Sequence, residues 1–305
     1  MMRFQFFLFL FLLFTLGGNA QNATTTEKPA TKTLYDFSKS NLLHRVKELS
    51  SDVYEGRETG TSGATKAKKY VLFNFERLRI KPLGNIHFQP FPMPKETNIE
   101  QGVNIIGYIE GTEKANQYIV ISAHYDHIGI IDGKIYNGAD DDASGVSALF
   151  AIGEYLKKNP PKHSVILAAF DAEEKGLVGS QFFVDNPMVE KSQLKLNINM
   201  DMISRSKKNE LYAVGPQHYK QLQPIIENTE KSGKVNLKIG HKEWTYASDH
   251  AGFHRAKIPF VYFGVEDHED YHKHTDDYEN IHPEFYADAV QTILNFFKKV
   301  DATNL

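Results

Sequence analysis

Histidine and acidic side chains stand at the ends of short apolar runs in this sequence. His124 and Asp126 follow the run 118–123, and Asp201 follows the run 196–200. Imidazole nitrogens and carboxylate oxygens are zinc ligands, and Asp126 could accept from the second ring nitrogen of His124 and fix its tautomer. An ionised Asp201 in such apolar surroundings is costly unless it is paired or coordinated. The pattern indicates a metal site.

Two further segments are strongly acidic. Asp140, Asp141 and Asp142 precede an apolar helical stretch, and Glu173 and Glu174 follow another apolar run. Three adjacent carboxylates repel one another unless a positive charge lies among them. Of two neighbouring glutamates, one could bind a metal while the other reaches the metal-bound water. Taken alone, each segment is equally typical of a solvated acidic turn.

A histidine-rich loop at 270–277 completes the set with His272 and His274, although such a loop alone could be a solvated surface. His127, beside the first histidine segment, is expected to be an ordinary surface or turn residue. Together the segments give His, Asp, Glu, Asp and His in chain order, mostly at predicted strand ends. This coincidence favours a site for divalent cations.

The elements that must position these residues alternate along the chain. Short apolar runs predict strands at Val103–Ile109, Tyr118–Ala123, Val165–Phe170, Leu196–Met200 and Pro259–Phe263. Helical spacing predicts helices at Ser40–Leu49, Ser62–Leu78, Ala143–Lys158, Gln217–Lys231 and Pro283–Val300. Asp142 is expected to cap the third of these helices. The alternation predicts an α/β fold, a three-layer αβα sandwich around a central mixed, largely parallel sheet. Active sites in such sheets lie beyond the carboxyl ends of the strands.

The first twenty residues differ from the rest. Arg3, an apolar stretch at 4–16 and the small residues before position 21 are typical of a secretory signal peptide at 1–20. A retained membrane anchor is the alternative, but about thirteen apolar residues fall short of the roughly 20 that span a bilayer. Residues 21–34 are expected to be a flexible leader and 35–305 a single domain, secreted or periplasmic.

Composition excludes several function classes. The net charge of −3 gives no basic surface for nucleic acid or anionic lipid. The chain contains no cysteine, so it has no disulfide, no thiol nucleophile and no cysteine-linked lipid anchor. We therefore expect neither a nucleic-acid partner nor a stable membrane anchor after cleavage of the signal peptide.

The motifs resemble those of the secreted di-zinc aminopeptidases, a metallopeptidase family that includes glutamate carboxypeptidase II and, as relatives, the glutaminyl cyclases. The matching segments span nearly the whole chain after the leader, and residues 54–60 are similar to the bacterial branch. The segments that carry the resemblance are His124-Tyr125-Asp126, Gly138 to Gly145, Ala172-Glu173-Glu174, Met200-Asp201-Met202, Ser248-Asp249-His250 and Tyr271-His272 followed by Asp276.

The resemblance implies two Zn²⁺ ions that are bound by residues of these motifs. It assigns five metal ligands: His124 and Asp201 to one zinc, Glu174 and His272 to the other, and Asp141 as the bridge. His274 is the rival of His272, and the four-residue interval to Asp276 matches His272.

The resemblance also implies the catalytic groups. Glu173 would be the general base and Asp126 the partner that orients His124. Tyr271 would donate to the developing oxyanion, with Tyr246 as the alternative.

The implied reaction is hydrolysis of N-terminal residues of peptides by a zinc-bridged hydroxide. Two zinc ions about 3.5–4 Å apart lower the pKa of a shared water and polarise the substrate carbonyl. Three alternatives remain open: a glutaminyl cyclase-like transferase, a carboxypeptidase or dipeptidase, and a non-catalytic ectodomain. The metal centre alone does not determine which peptide end is held.

Overall fold

A mixed β-sheet forms the centre of the protein, and its strands pair in an order different from that in the chain. The structure is a computed structural model that describes Met1 and residues 35–303. The strands are β1 Lys81–Pro82, β2 Phe88–Pro92, β3 Gln101–Ile109, β4 Lys114–His124, β5 Gly129–Ile131, β6 Lys134–Tyr136, β7 His163–Phe170, β8 Leu194–Met200, β9 Glu210–Val214, β10 Asn236–Ile239 and β11 Phe260–Gly264. The sheet order is β1-β3-β7-β4-β8-β11-β9-β10, with β2 also on β3, while β5 and β6 form a separate hairpin.

Helices cover both faces of this sheet. They are α1 Lys39–Leu49, α2 Ser62–Arg77, α3 Gly145–Lys158, α4 Val178–Asp185, α5 Gln223–Glu227, α6 His250–Arg255 and α7 Pro283–Asp301. Within the described residues, none of these helices has the length and apolarity needed to cross a membrane. The expected signal peptide at 1–20 and leader at 21–34 lie outside the described residues, apart from Met1.

Alternate residues of the central strands enter two different hydrophobic cores. On β4, Ile119 and Ile121 join the core that contains α3 and α7, whereas Val120 joins the core built on Phe183 and Phe253 of α4 and α6. Successive strand side chains point to opposite faces, so an apolar strand without polar gaps must be covered on both sides. The three-layer αβα arrangement predicted from the sequence is confirmed.

Four neighbouring strands, β7, β4, β8 and β11, are mutually parallel, while β3 and β9 flank them in antiparallel pairing. All five predicted strands are present within two residues at their carboxyl ends. Because parallel strands share an edge at their carboxyl ends, the residues that follow β4, β7, β8 and β11 meet there. This edge carries the candidate site.

The helix predicted at 217–231 is wrong. Only α5 forms in this region, after a single short turn at Lys220–Leu222. Pro224 occupies the first turn of α5, because proline inside a longer helix would remove a backbone hydrogen bond. At the other end the Asn228 side chain donates to the carbonyl of Pro224 (2.8 Å) and stops the helix. The strands β9 and β10 on either side of this region were not predicted.

Candidate metal centre

Two clusters of metal-ligating groups meet at the carboxyl edge of the parallel strands. In the first, His124 Nε2 lies 3.2 Å from Asp141 Oδ1 and 3.6 Å from Asp201 Oδ1. His124 ends β4 opposite Phe170, the last residue of β7, and Asp201 follows β8 directly. Nδ1 of His124 donates to the backbone carbonyl of Asp126 (3.2 Å), which leaves Nε2 as the free donor atom.

The second cluster uses the other oxygen of Asp141. Asp141 Oδ2 lies 3.2 Å from His272 Nε2, and the same nitrogen lies 3.5 Å from Glu174 Oε2. His127 Nδ1 lies 2.8 Å from Glu174 Oε1 and 3.8 Å from Asp141 Oδ2. Each oxygen of Asp141 therefore faces a different cluster, which is the arrangement of a carboxylate that bridges two cations.

The residues present fit zinc. Ligand atoms of His124, Asp141 and Asp201 lie within 4.8 Å of one another, and those of His127, Asp141 and Glu174 do the same. Asp201 Oδ1 and Glu174 Oε1 are buried without a hydrogen-bond partner in the described part of the chain. Buried polar atoms are normally satisfied, so orphaned oxygens that face imidazoles are consistent with donors to a cation. Nitrogen and oxygen donors suit zinc.

The pKa values in the clusters reflect the same crowding of charge. Burial alone would lower the pKa of His124, but Asp201 and Glu173 outweigh it and raise that pKa well above its usual range. Burial would raise the pKa of Asp141, but His127 and His124 hold it well below its ordinary value.

The three consecutive aspartates have three different roles. Asp140 accepts from the backbone and hydroxyl of Ser204, both at 2.7 Å, and lies 3.0 Å from His268 Nε2. Asp142 accepts the amide of Gly145 (2.8 Å), the first residue of α3, although Ser144 rather than Asp142 occupies the N-cap position. Only the middle carboxylate, that of Asp141, faces both clusters.

Asp276 and Arg57 hold the aspartate segment in place. Asp276 Oδ2 accepts the amides of Asp140 (3.1 Å) and Asp141 (3.0 Å). Arg57 is completely buried and donates to five backbone carbonyls, those of Leu49, Tyr125, Asn137, Gly138 and Asp141. These bonds fix three chain segments under the clusters. The sequence did not reveal this role of Arg57, although it lies in the segment 54–60 that carries part of the resemblance.

Asp126 anchors the glutamate turn. Its carboxylate accepts the amides of Glu173 (3.1 Å) and Glu174 (3.2 Å), while it lies 3.6 Å from Nδ1 of His124. Burial raises the pKa of Glu173 well above its ordinary value, and the nearby Asp201 and Asp249 raise it further. His124 acts in the opposite direction and lowers this pKa. Burial also raises the pKa of Asp249 to about 7.

A cleft of about 290 Å³ opens beside the clusters. Its acidic side chains are Asp141, Glu173, Glu174, Asp201 and Asp267. Its apolar side is formed by Met202, Trp244, Tyr262, Val265 and Tyr271. No lysine or arginine lines the cleft among the described residues.

The structure separates the rival residues that the sequence left open. Tyr271 lines the cleft, whereas Tyr246 is 55% exposed and packs against His254. His274 lies away from the clusters, with its Nε2 3.1 Å from Lys134 Nζ. His272 and Tyr271 therefore stand beside the other candidate residues, and their rivals do not.

The expectation that His127 is a surface or turn residue is wrong. Its side chain is completely buried and faces the second cluster. Its amide donates to the carbonyl of Arg57 (3.3 Å), and Gly138, with φ of 56°, lies against its ring. Its place in the sequence gave no signal of this burial, which depends on contacts with Arg57 and Gly138.

The chain is similar in sequence to a family of peptidases. The profile of the family described as Peptidase family M28 matches residues 104–297. Aminopeptidase YwaD of Bacillus subtilis (strain 168) is 31% identical over 173 residues, which cover 52% of this chain and 35% of that protein. The chain spans less than half the length of the first curated relatives it matches.

Two solved structures share the fold at low sequence identity. A zinc aminopeptidase from Bacillus subtilis superposes with a TM-score of 0.72 at 17% identity, covering 87% of this chain and 95% of the other. A glutaminyl cyclase from Porphyromonas gingivalis gives a TM-score of 0.72 at 16% identity, covering 87% and 99%. The fold alone therefore does not separate a peptidase from a cyclase.

Proposed function

Because the chain belongs to peptidase family M28, we propose that it is a zinc-dependent aminopeptidase that holds two Zn²⁺ ions and hydrolyses N-terminal residues of peptides. One observation carries the proposal: the two oxygens of Asp141 face two separate clusters of ligand atoms. His124 and Asp201 would hold one ion with Asp141, and Glu174 and His272 the other. Bound zinc would lower the pKa of a water molecule and polarise the substrate carbonyl.

Glu173 is the proposed general base. Its carboxylate lines the cleft beside Asp141 and Asp201, and burial raises its pKa. A carboxylate with a raised pKa is a better proton acceptor at neutral pH. Glu173 takes the proton of the attacking water and delivers it to the nitrogen of the leaving amine as the C–N bond breaks. Tyr271 donates to the oxygen on which negative charge develops.

The charges of the cleft favour a peptide amino terminus. A carboxypeptidase would need a cation for the terminal carboxylate of its substrate, a role for which arginine is well suited. The described cleft has acidic side chains, including Asp267, but no lysine or arginine. A protonated amino terminus is the better match. The apolar side, with Trp244 and Val265, suits an apolar side chain on the first residue.

Glutaminyl cyclase chemistry on the same fold is the second candidate. It uses one zinc, whereas the shared Asp141 supports two ions. A carboxypeptidase, a dipeptidase and a non-catalytic binding domain are the further outcomes that an activity test separates. The proposal also includes export, because residues 1–20 have the sequence of a signal peptide. A mature N-terminus at position 21, found by mass spectrometry of the exported protein, is the expected result.

The central test combines metal analysis with a single substitution. The purified protein is expected to hold two zinc ions, to hydrolyse leucyl-nitroanilide but not its N-acetylated form, and to lose activity with a chelator. Glu173→Gln should keep its zinc but lose about 10²–10⁴ in kcat. Glu113→Gln, at the residue directly before β4 and thus far along the strand from His124, is the matched control and should retain full activity.

Three results would overturn the proposal. These are normal turnover by Glu173→Gln, cyclisation of glutaminyl peptides without hydrolysis, and activity that survives removal of metal.

A further inference from the structure

We infer, on the basis of the proposed zinc function, that His127 is a fourth protein ligand of the metal held by Asp141, Glu174 and His272. This metal position is then closed by four protein groups. The position held by His124, Asp141 and Asp201 has three protein ligands and remains open. The two ions would therefore differ in affinity and in role.

The first argument is the state of the His127 side chain. It is completely buried, and neither ring nitrogen has a hydrogen-bond partner in the described part of the chain. Its Nδ1 lies 2.8 Å from Glu174 Oε1, yet that oxygen also lacks a hydrogen bond of normal geometry. A buried imidazole is normally satisfied. Two orphaned donor atoms that face each other indicate a common partner between them.

The second argument is the spacing of the donor atoms. Two nitrogen or oxygen ligands on a tetrahedral zinc lie about 3.3 Å apart, given bonds of about 2.0–2.1 Å. His127 Nδ1 lies 2.8 Å from Glu174 Oε1 and 3.8 Å from Asp141 Oδ2. His272 Nε2 lies 3.2 Å from the same oxygen of Asp141 and 3.5 Å from Glu174 Oε2. These pairwise separations scatter around the tetrahedral value. His127 and His272 face different oxygens of Glu174, and the donor atoms of His127, Asp141 and Glu174 lie within 4.8 Å of one another.

The third argument is that the backbone fixes the ring. The amide of His127 donates to the carbonyl of Arg57 (3.3 Å), and Arg57 itself is anchored by five carbonyls. A Cβ on Gly138 would come within 2.5 Å of the ring. His272, by contrast, has a side chain that is 41% exposed. His127 is the more rigidly held of the two imidazoles.

The closed position has a functional consequence. Structural zinc sites have four protein ligands, whereas catalytic sites keep one coordination position for water or substrate. We therefore expect the ion at His127 to be retained and the ion at His124 to exchange. His272→Ala would leave three protein ligands at the retained ion, so this ion tolerates loss of the exposed histidine.

The test counts imidazoles and measures metal release, and neither readout depends on turnover. X-ray absorption of the wild-type protein with two zinc ions should give about 1.5 imidazoles per zinc, from His124, His127 and His272. A value of about 1.0 would overturn the inference. Dialysis against a weak chelator should remove one zinc and leave the other, as counted by elemental analysis.

Variants separate the inference from the proposed function. His127→Phe keeps the size of the ring, and His127→Ala removes it; both should release the retained zinc at least tenfold more readily. His274→Ala, which changes an imidazole outside the clusters, is the control and should behave as the wild type. Unchanged retention in a folded His127 variant would overturn the inference. A wild-type protein that binds two zinc ions but cleaves no peptide would refute the proposed function alone.

Discussion

Replacing Arg57 by lysine is expected to destabilise the protein even without metal. The guanidinium donates to five buried backbone carbonyls that belong to three distant segments of the chain. Lysine keeps the positive charge but has three N–H donors on a single atom. At least two carbonyls therefore lose their partner, whichever way the ammonium group points.

The magnitude follows from the number of lost bonds. A buried polar group left unsatisfied costs about 1–3 kcal/mol, so two such groups predict a loss of about 2–6 kcal/mol in the free energy of unfolding. The total free energy of unfolding of a typical domain is about 5–15 kcal/mol. Arg57→Lys is thus expected to fold with greatly reduced stability. The melting temperature should fall by at least about 4 °C, since 1 kcal/mol corresponds to roughly 2–4 °C in a domain of this size.

The assay is urea unfolding of the chelated protein, followed by circular dichroism. Chelation removes any contribution of metal affinity, because the carbonyls need their donor whether or not an ion is bound. Arg79→Lys, at an exposed arginine, is the control and should change stability by less than about 0.5 kcal/mol. If Arg57→Lys also changed stability by less than about 0.5 kcal/mol, the premise that the buried carbonyls need the donors of Arg57 would be refuted.

Three further predictions concern catalysis, backbone geometry and pH. Tyr271→Phe should lower kcat about 10²–10³-fold, whereas Tyr246→Phe should leave kcat unchanged, in steady-state kinetics on leucyl-nitroanilide. The opposite ranking would assign the oxyanion role to Tyr246. Gly138→Ala should cost about 1–3 kcal/mol in chemical unfolding, because φ is 56° and a Cβ would come 2.1 Å from a backbone oxygen; a neutral effect would contradict this backbone geometry. Burial raises the pKa of Asp249 from 3.8 to about 7 and the pKa of Asp171 from 3.8 to about 6. Between the ordinary and the raised pKa of each group, the folded state binds more protons than the unfolded state. Both groups thus reduce stability as pH rises from about 4 to 7. Asp249→Asn or Asp171→Asn should make the free energy of unfolding of the chelated protein, measured in urea titrations, depend less on pH. An unchanged dependence on pH would show that these groups titrate normally.

The approach of His124 and Asp201 could be predicted because both residues have a simple relation to the sheet. His124 and Asp201 each stand directly at the end of a parallel strand, and such ends share one edge. The apolar runs that precede them are continuous because both faces of the sheet are covered. Residue type and strand position were therefore sufficient to bring these two side chains together.

His127 and Arg57 could not be assigned in this way. The position of His127, three residues after the end of β4, does not predict burial, whereas the contacts with Gly138 and Arg57 enclose it. The five acceptors of Arg57 are backbone atoms, which have no residue type and leave no pattern in the sequence. Groups of this kind are found only when the segments are seen in contact.

The dependence of the aspartate segment on Asp276 sets an order of events during synthesis. The amides of Ala139, Asp140 and Asp141 bond to a residue 135 to 137 positions further along the chain. At about 5–20 residues per second, a ribosome adds that residue roughly 7–27 s after the aspartates. Until then the three amides lack their acceptor, and of Arg57 and Asp276 only Arg57 can hold the segment, through the carbonyls of that segment. The aspartate segment therefore reaches its final arrangement late, after most of the chain has left the ribosome.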